Sequence, residues 1–551
     1  MSEGEARQEA REGARGRPKE RIETGEMRAV GRTLGNRDAQ AFPGKGQSAG
    51  RNLTIFKSLV LAVLVVITLY GMLNRGLAGT ERWLPVAAAV LGLVVITLFV
   101  ADYFANVPRV AWVLVVLLVV LVAVKGLSLT WSISRTETIQ ELLRSSVYLA
   151  AFALAVASLS SWRLVGPFVD GMSLTAGAVA GYGVLQKVNP VDYSSNTRDG
   201  VRVGSTLEYA NTVAVVLGMG IALGLGRMTQ LRNPLARGLY AALILIFCAI
   251  LYLTFSRGGM FALVGGLVVL LAVTGRRLEM FGNLLLVLGP LAWLVWQVQG
   301  LETFFAYFSE EAPRAADGTA FRNYLVIAVV QAFLLQTIYA FLVGRYELTA
   351  ALHRSLGVAA VIMVLVGAGA LGFLVFGDSR GSDEALGVIS RQVEDTEDVR
   401  DRLTSLSSNS RSLYWQVAWQ EWRERPLAGT GAGTFQYSWL ENRPNFSGVK
   451  QVHNVYLEQG TETGVVAFLA LAGFAALLLG YAAWATLRAV GEQKVLLAGL
   501  TAAVAVYLAS SALEWHWYIP PSTIYFFILA GVTIRIAARA EPLSPEDGRS
   551  E

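Results

Sequence analysis

Three histidines and one cysteine are all that this 551-residue chain offers. Near neutral pH a histidine is the side chain best able to take up a proton, its ordinary pKa being about 6.5. His453 stands in Val452–Gly464, VHNVYLEQGTETG, among polar neighbours, and is the first candidate for a general base. His516 is its rival. It lies in LEWHWYIPP beside Glu514, but the flanking tryptophans read as an interfacial anchor. His353, next to Arg354, reads as solvated. Such scattered histidines exclude a multi-histidine metal cage. Cys248 has no second cysteine to pair with and sits in an apolar run. The expectation is chemistry with no metal and no cofactor, although loop carboxylates could in principle hold Ca²⁺ or Mg²⁺.

The elements that must position these residues are membrane helices. The composition is 54% hydrophobic and only 16% charged, too apolar for a soluble chain of this length. The apolar residues fall in runs long enough to cross roughly 30 Å of hydrocarbon. The fold class expected is an all-α polytopic bundle of about fourteen spans. They lie near 55–73, 83–101, 110–124, 145–160, 168–186, 207–225, 238–254, 259–274, 281–299, 321–343, 355–376, 463–487, 495–511 and 521–538. Residues 1–54 hold eleven Lys or Arg and little that could form a core, so they read as a disordered tail.

Orientation follows from the basic residues. With the tail placed inside, the short inner loops hold eleven Lys or Arg in 51 residues and the short outer loops ten in 83. Both termini, 1–54 and 539–551, are then cytoplasmic, and residues 377–462 form one long outer loop. Function is expected there, because an insertion of that size between spans is seldom idle.

Within that loop, Ser390–Leu406 alternates acidic and basic residues and reads as a solvated helix. In Ser410–Pro426, SRSLYWQVAWQEWRERP, Trp415, Trp419 and Trp422 recur on one helix face. That helix is expected on the membrane surface or on top of the bundle, with Arg411 near the bilayer either way. Pro426–Phe435, PLAGTGAGTF, reads as a tight turn; no strand precedes it, so a nucleotide loop is rejected.

In this order the motifs resemble a known family. A short TFSRGG turn between two helices (Thr254–Gly259) is followed by a long outer loop with Arg411 and Trp415. PLAGTGAGTF comes next, then HNVYLEQGTETG before a span. Upstream, Arg202–Ala214 reads RVGSTLEYANTVA. Together these are similar to the O-antigen ligase and polysaccharide polymerase superfamily over roughly residues 200–480. The resemblance implies a metal-independent membrane glycosyltransferase that moves a glycan from an undecaprenyl-pyrophosphate donor to an acceptor on the outer face. It implies Arg257 and Arg411 on the pyrophosphate and His453 as the base, with inversion at the anomeric carbon. Arg202 and Arg402 are reserve phosphate ligands; Tyr209, Asn211, Asn454 and Glu462 are polar lining. The acceptor would be a glycan, a lipid or a protein, with no nucleic acid involved. The chain departs from the family pattern in its higher helix count.

The competing class is a transporter such as a lipid-linked oligosaccharide flippase, and a third is a scaffold without chemistry. Transporters usually keep charged residues near the midplane, whereas the middles of these spans are nearly free of charge. With an ordinary histidine pKa, the base reading predicts a rate that falls below about pH 6.

Overall fold

The computed structural model describes residues 47–193, 201–306, 311–343, 411–444 and 446–539. The expected span at 355–376, the helix at Ser390–Leu406, Arg402, His353 and most of both tails lie outside those residues. The chain divides into two compact units, Met1–Asn52 and Leu53–Glu551. Helix α1 (Gln47–Leu73) starts in the first, and the remaining description concerns the second.

Every named element among the described residues is helical. After α1 come α2 (Thr80–Leu98), α3 (Arg109–Ser128), α4 (Arg135–Ser158), α5 (Val165–Val188), α6 (Ala210–Gln230), α7 (Pro234–Leu253) and α8 (Arg257–Val273). Then follow α9 (Arg277–Val298), α10 (Glu311–Val343), two short helices α11 (Arg411–Glu424) and α12 (Phe435–Asn442), and finally α13 (Val455–Arg488), α14 (Gly491–Ser511) and α15 (Pro520–Ala537). Twelve of the described helices are long and apolar enough to cross a membrane. Helix α8 is apolar too but has 17 residues, about 26 Å at 1.5 Å per residue. These thirteen coincide with thirteen of the fourteen expected spans, and the chain is a multi-pass membrane protein.

Helices α6, α14 and α15 form the centre; 94%, 83% and 100% of their apolar windows are buried inside the protein. Small residues make this possible. A β-carbon on Gly226 would stand 2.8 Å from the Gly499 α-carbon, so α6 and α14 meet backbone to backbone there. With lipid outside, helices gain from such close packing rather than from hydrophobic exclusion. Helices α2 and α3 lie at the periphery, with 28% of their windows buried.

Helix α4 begins at Arg135, ten residues before the expected span at 145–160. Its first turns carry Glu137, Glu141 and Arg144, which suppress the hydropathy signal. The structure compensates them: Lys125 on α3 donates to Glu141 at 3.3 Å, and Arg144 pairs with the same carboxylate.

Contacts between loops and helix ends group the end of α7 with the approach to α6, and the start of α13 with the end of α14. The Val203 amide donates to the Leu253 carbonyl at 3.1 Å, and Tyr456 donates through its hydroxyl to the Leu508 carbonyl at 3.2 Å.

Candidate functional site

The glycine turn packs against the start of α13. Gly429, Gly431 and Gly433 all have positive φ, which lets PLAGTGAGTF fold tightly over the first turns of α13. Its backbone groups are met by the α3–α4 connection. The Ile133 amide donates to the Thr430 carbonyl at 3.1 Å, Trp131 donates to the Ala428 carbonyl at 3.0 Å, and Thr138 to the Ala432 carbonyl at 2.8 Å. From α13, Glu462 accepts the Gly433 amide at 2.7 Å and the Phe435 amide at 3.1 Å. Its carboxylate is thereby committed to the turn. Asn454 is committed as well: its side-chain oxygen caps α13, accepting from the amides of Tyr456 and Leu457, both at 3.1 Å.

Helix α13 breaks one span-length from its end. Gly464 has φ +76° and ψ −175°, and a β-carbon there would lie 2.0 Å from the Leu427 carbonyl oxygen. The break separates a polar, buried segment, Glu458–Thr463, from the apolar span that follows. Trp422 of α11 packs its ring over Gly460 and lies 5.0 Å from Phe468, while Trp419 is 52% exposed. The tryptophan face thus serves both the packed and the exposed roles open to it.

At the same end, five side chains form one directed hydrogen-bond chain. Arg202 donates Nε to the Thr254 carbonyl at 2.7 Å and Nη2 to Asn211 Oδ1 at 2.6 Å. Asn211 donates Nδ2 to the Tyr209 hydroxyl at 2.8 Å, and Tyr209 donates to Glu514 Oε2 at 2.8 Å. Arg411, the first residue of α11, donates Nη2 to the other oxygen of Glu514. The chain joins the α5–α6 loop, the α7–α8 turn, α11 and the α14–α15 loop. Arg257 opens α8 and is half-buried. Its neighbour Gly258 abuts Glu514, whose Oε1 would lie 3.5 Å from a β-carbon there.

Glu514 was not singled out by sequence as a site residue, yet the network ends on it. It is 1% exposed. Burial alone would raise its carboxyl, but Arg411, His453 and Tyr209 outweigh burial and hold it below its ordinary value. One signal was available. The loop 512–520 contains a single acid and no Lys or Arg, and a carboxylate in so apolar a setting needs a partner from elsewhere.

His453 sits beside this network with φ +62°, a left-handed conformation uncommon outside glycine. Its ring lies 5.5 Å from Tyr414 of α11 and 6.3 Å from Trp515, and Trp515 in turn lies 4.7 Å from Tyr209. Nδ1 is 3.0 Å from the Gln451 carbonyl. A carbonyl only accepts, so Nδ1 of the neutral ring carries the proton and Nε2 keeps its lone pair. Burial pushes the ring down to about 4, with nearby Arg411 acting in the same sense and Glu514 against it. The acid limb expected near pH 6 therefore moves lower.

His516 is fully buried. Its Nε2 meets the Ser511 hydroxyl at 3.1 Å and its ring packs 4.7 Å from Tyr507. Among the described residues no cluster of three or more His, Cys, Asp or Glu could hold a metal ion.

Of the residues expected from sequence, the structure brings Arg202, Tyr209, Asn211 and Arg411 into one network, with Arg257 and His453 adjoining. Asn454 and Glu462 shape the neighbouring backbone. No curated protein matches the chain. Residues 323–472 match the family model described as O-antigen ligase, a stretch from within α10 to beyond the break in α13. Arg411 and His453 fall inside it; Arg202, Tyr209, Asn211, Arg257 and Glu514 fall outside. The chain is thus a multi-pass membrane protein whose residues 323–472 are similar to the O-antigen ligase domain, a likeness that supports a membrane enzyme of the glycosyltransferase type.

Proposed function

We propose that this enzyme transfers a glycan from an undecaprenyl-pyrophosphate donor to an acceptor hydroxyl at the outer face of the cytoplasmic membrane. The observation that carries the reading is the convergence of Arg411, the Arg257 turn and a neutral histidine on one polar cluster at one end of an apolar bundle. A lipid-held pyrophosphate lies at headgroup level, where such a cluster can meet it. Its departure builds negative charge, for which planar, always-charged guanidinium groups are suited. Arg411 and Arg257 are assigned to the pyrophosphate, Arg202 to the orientation of Asn211 and Tyr209.

His453 Nε2 accepts the acceptor's hydroxyl proton as its oxygen attacks the anomeric carbon. The bond from that carbon to the phosphate oxygen breaks, and the lipid pyrophosphate leaves with the bonding electrons. Attack from the opposite face inverts the centre. No step calls for a metal.

Against a transporter stands the placement of charge. Among the described residues charge gathers toward the ends of the spans, as with Lys125 on α3 and Arg227 on α6. Where Glu141 and Arg144 lie further into α4 they pair with each other, and Glu141 with Lys125, rather than line a midplane site. The test is transfer by the purified protein in proteoliposomes, with a synthetic lipid-pyrophosphate glycan, a set of hydroxyl acceptors and EDTA. Formation of a glycan–acceptor product of inverted configuration is expected. Movement of the intact donor between leaflets without any bond cleavage would replace this reading by transport.

A further inference from the structure

Glu514 is a buried carboxylate held on both oxygens, by Arg411 on one and by Tyr209 at 2.8 Å on the other. Its own loop supplies no cation, so Arg411, 103 positions away in sequence, is the partner that keeps the charge from being stranded. The converse holds for Arg411, whose side chain is 19% exposed. A guanidinium so covered needs an anion whenever no donor is present.

We infer that Glu514 is the resident counter-ion of Arg411, occupying the seat that the donor's pyrophosphate takes, and so is a positioning residue that limits how tightly donor and lipid pyrophosphate product are held. The inference rests on the donor reading above. Three features of the geometry lead to it. Arg411 directs Nη2 at Glu514, and one N–H cannot serve a phosphate oxygen at the same time. Even if pyrophosphate used the remaining guanidinium donors, a fixed carboxylate at hydrogen-bond distance from Arg411 would repel it. Finally, the chain Arg202, Asn211, Tyr209 donates toward Glu514 at every link. Each link polarises the next, so the carboxylate is the negative terminus of the whole network and holds Arg411 in place between turnovers. When pyrophosphate arrives, Arg411 exchanges one anion for another, while Tyr209 retains the carboxylate.

This exchange makes a prediction opposite in sign to that of a structural role. Glu514→Gln keeps the shape and an acceptor for Arg411 but removes the charge. Binding of inorganic pyrophosphate and of undecaprenyl pyrophosphate to the purified protein in nanodiscs should tighten by about tenfold or more, the scale of one partly screened charge contact. Product inhibition by undecaprenyl pyrophosphate should strengthen in parallel. A residue that merely props the fold would weaken binding when replaced. Should Glu514→Gln fail to accumulate, Glu514→Asp draws the carboxylate back by one methylene and carries the same test with the same sign. Unchanged or weaker binding by the variant, with wild type binding both probes, overturns the inference and leaves the donor reading intact. Failure of wild type to bind undecaprenyl pyrophosphate overturns both.

Discussion

Tyr209 donates its phenolic proton to Glu514 at 2.8 Å across 305 positions of sequence, and so ties the start of α6 to the loop between α14 and α15. It also accepts from Asn211. Tyr209→Phe removes both bonds and leaves the Asn211 Nδ2 group without its acceptor. A loss of about 1–3 kcal/mol in stability is expected, the cost of a buried unsatisfied donor. Because Glu514 would lose one of its two holds, Arg411 should be less well placed, and transfer should fall by about tenfold. Thermal unfolding in detergent and initial transfer rates check the two parts. Native stability and rate together would show the relay to be idle.

Arg257→Lys and Arg411→Lys should each fail to restore transfer. Lysine keeps the positive charge but loses the planar, two-point grip on phosphate oxygens. At Arg411 it would also reach Glu514 through a single compact ammonium group. Rates and donor affinity measured side by side decide the matter. Near-normal transfer by both lysine variants would reduce these arginines to anchors at the membrane surface.

The site end of the bundle should face outward. Gly448 lies in the loop between α12 and α13, and a β-carbon there meets nothing within 4 Å, so a cysteine at that position should be reactive. In a Cys248→Ala background, Gly448→Cys should be labelled by an impermeant maleimide in intact cells. Labelling only after lysis would invert the orientation.

The spans were legible because run length carries their signal. Ile55–Leu73 and Phe321–Val343 need no tertiary information to be recognised. The start of α4 is hidden in the sequence because its leading charges suppress the apolar signal, and the partner of Glu141, Lys125, lies on a different helix. The same reason hides the partners of Glu514. A lone acid in an apolar loop shows that Glu514 needs a partner, but nothing local shows that the network's members come from residues 202, 209, 211 and 411. Arg411 and His453 were found because motif order carries them. Asn454 and Glu462 read from sequence as polar lining. That polar residues at a helix start are taken up by nearby amides is visible only once the glycine turn is folded against α13. The ring state of His453 is not legible in the sequence, for its surroundings cannot be read from a lone histidine between polar neighbours.

That ring state sharpens the test of His453 as the base. With the pKa pushed down to about 4, the ring is neutral throughout the neutral range and Nε2 is free to accept a proton. Wild-type transfer should then hold as pH falls through 6.5 and drop only as it approaches about 4. Stability works in the other direction over the same interval. The unfolded chain protonates histidine near 6.5 and the folded chain near 4, so between these values the unfolded state binds more protons. The stability that comes from keeping half-buried His453 and fully buried His516 neutral, the latter likewise pushed down to about 4, is therefore lost progressively as pH falls from about 6.5. Rates must be taken within the time the protein stays folded at each pH. His453→Ala should lower transfer by about 10²–10⁴-fold, the usual worth of general-base help, and leave binding of undecaprenyl pyrophosphate unchanged, since the leaving group needs cations and not a base. His516→Ala should lose stability, because its Ser511 contact and its packing on Tyr507 are gone, but the folded fraction should still transfer. If folded His516→Ala is the inactive variant, the base has been misassigned. If His453→Ala loses donor binding in proportion to rate, His453 contributes to the phosphate seat, and the acceptor's proton leaves by another route.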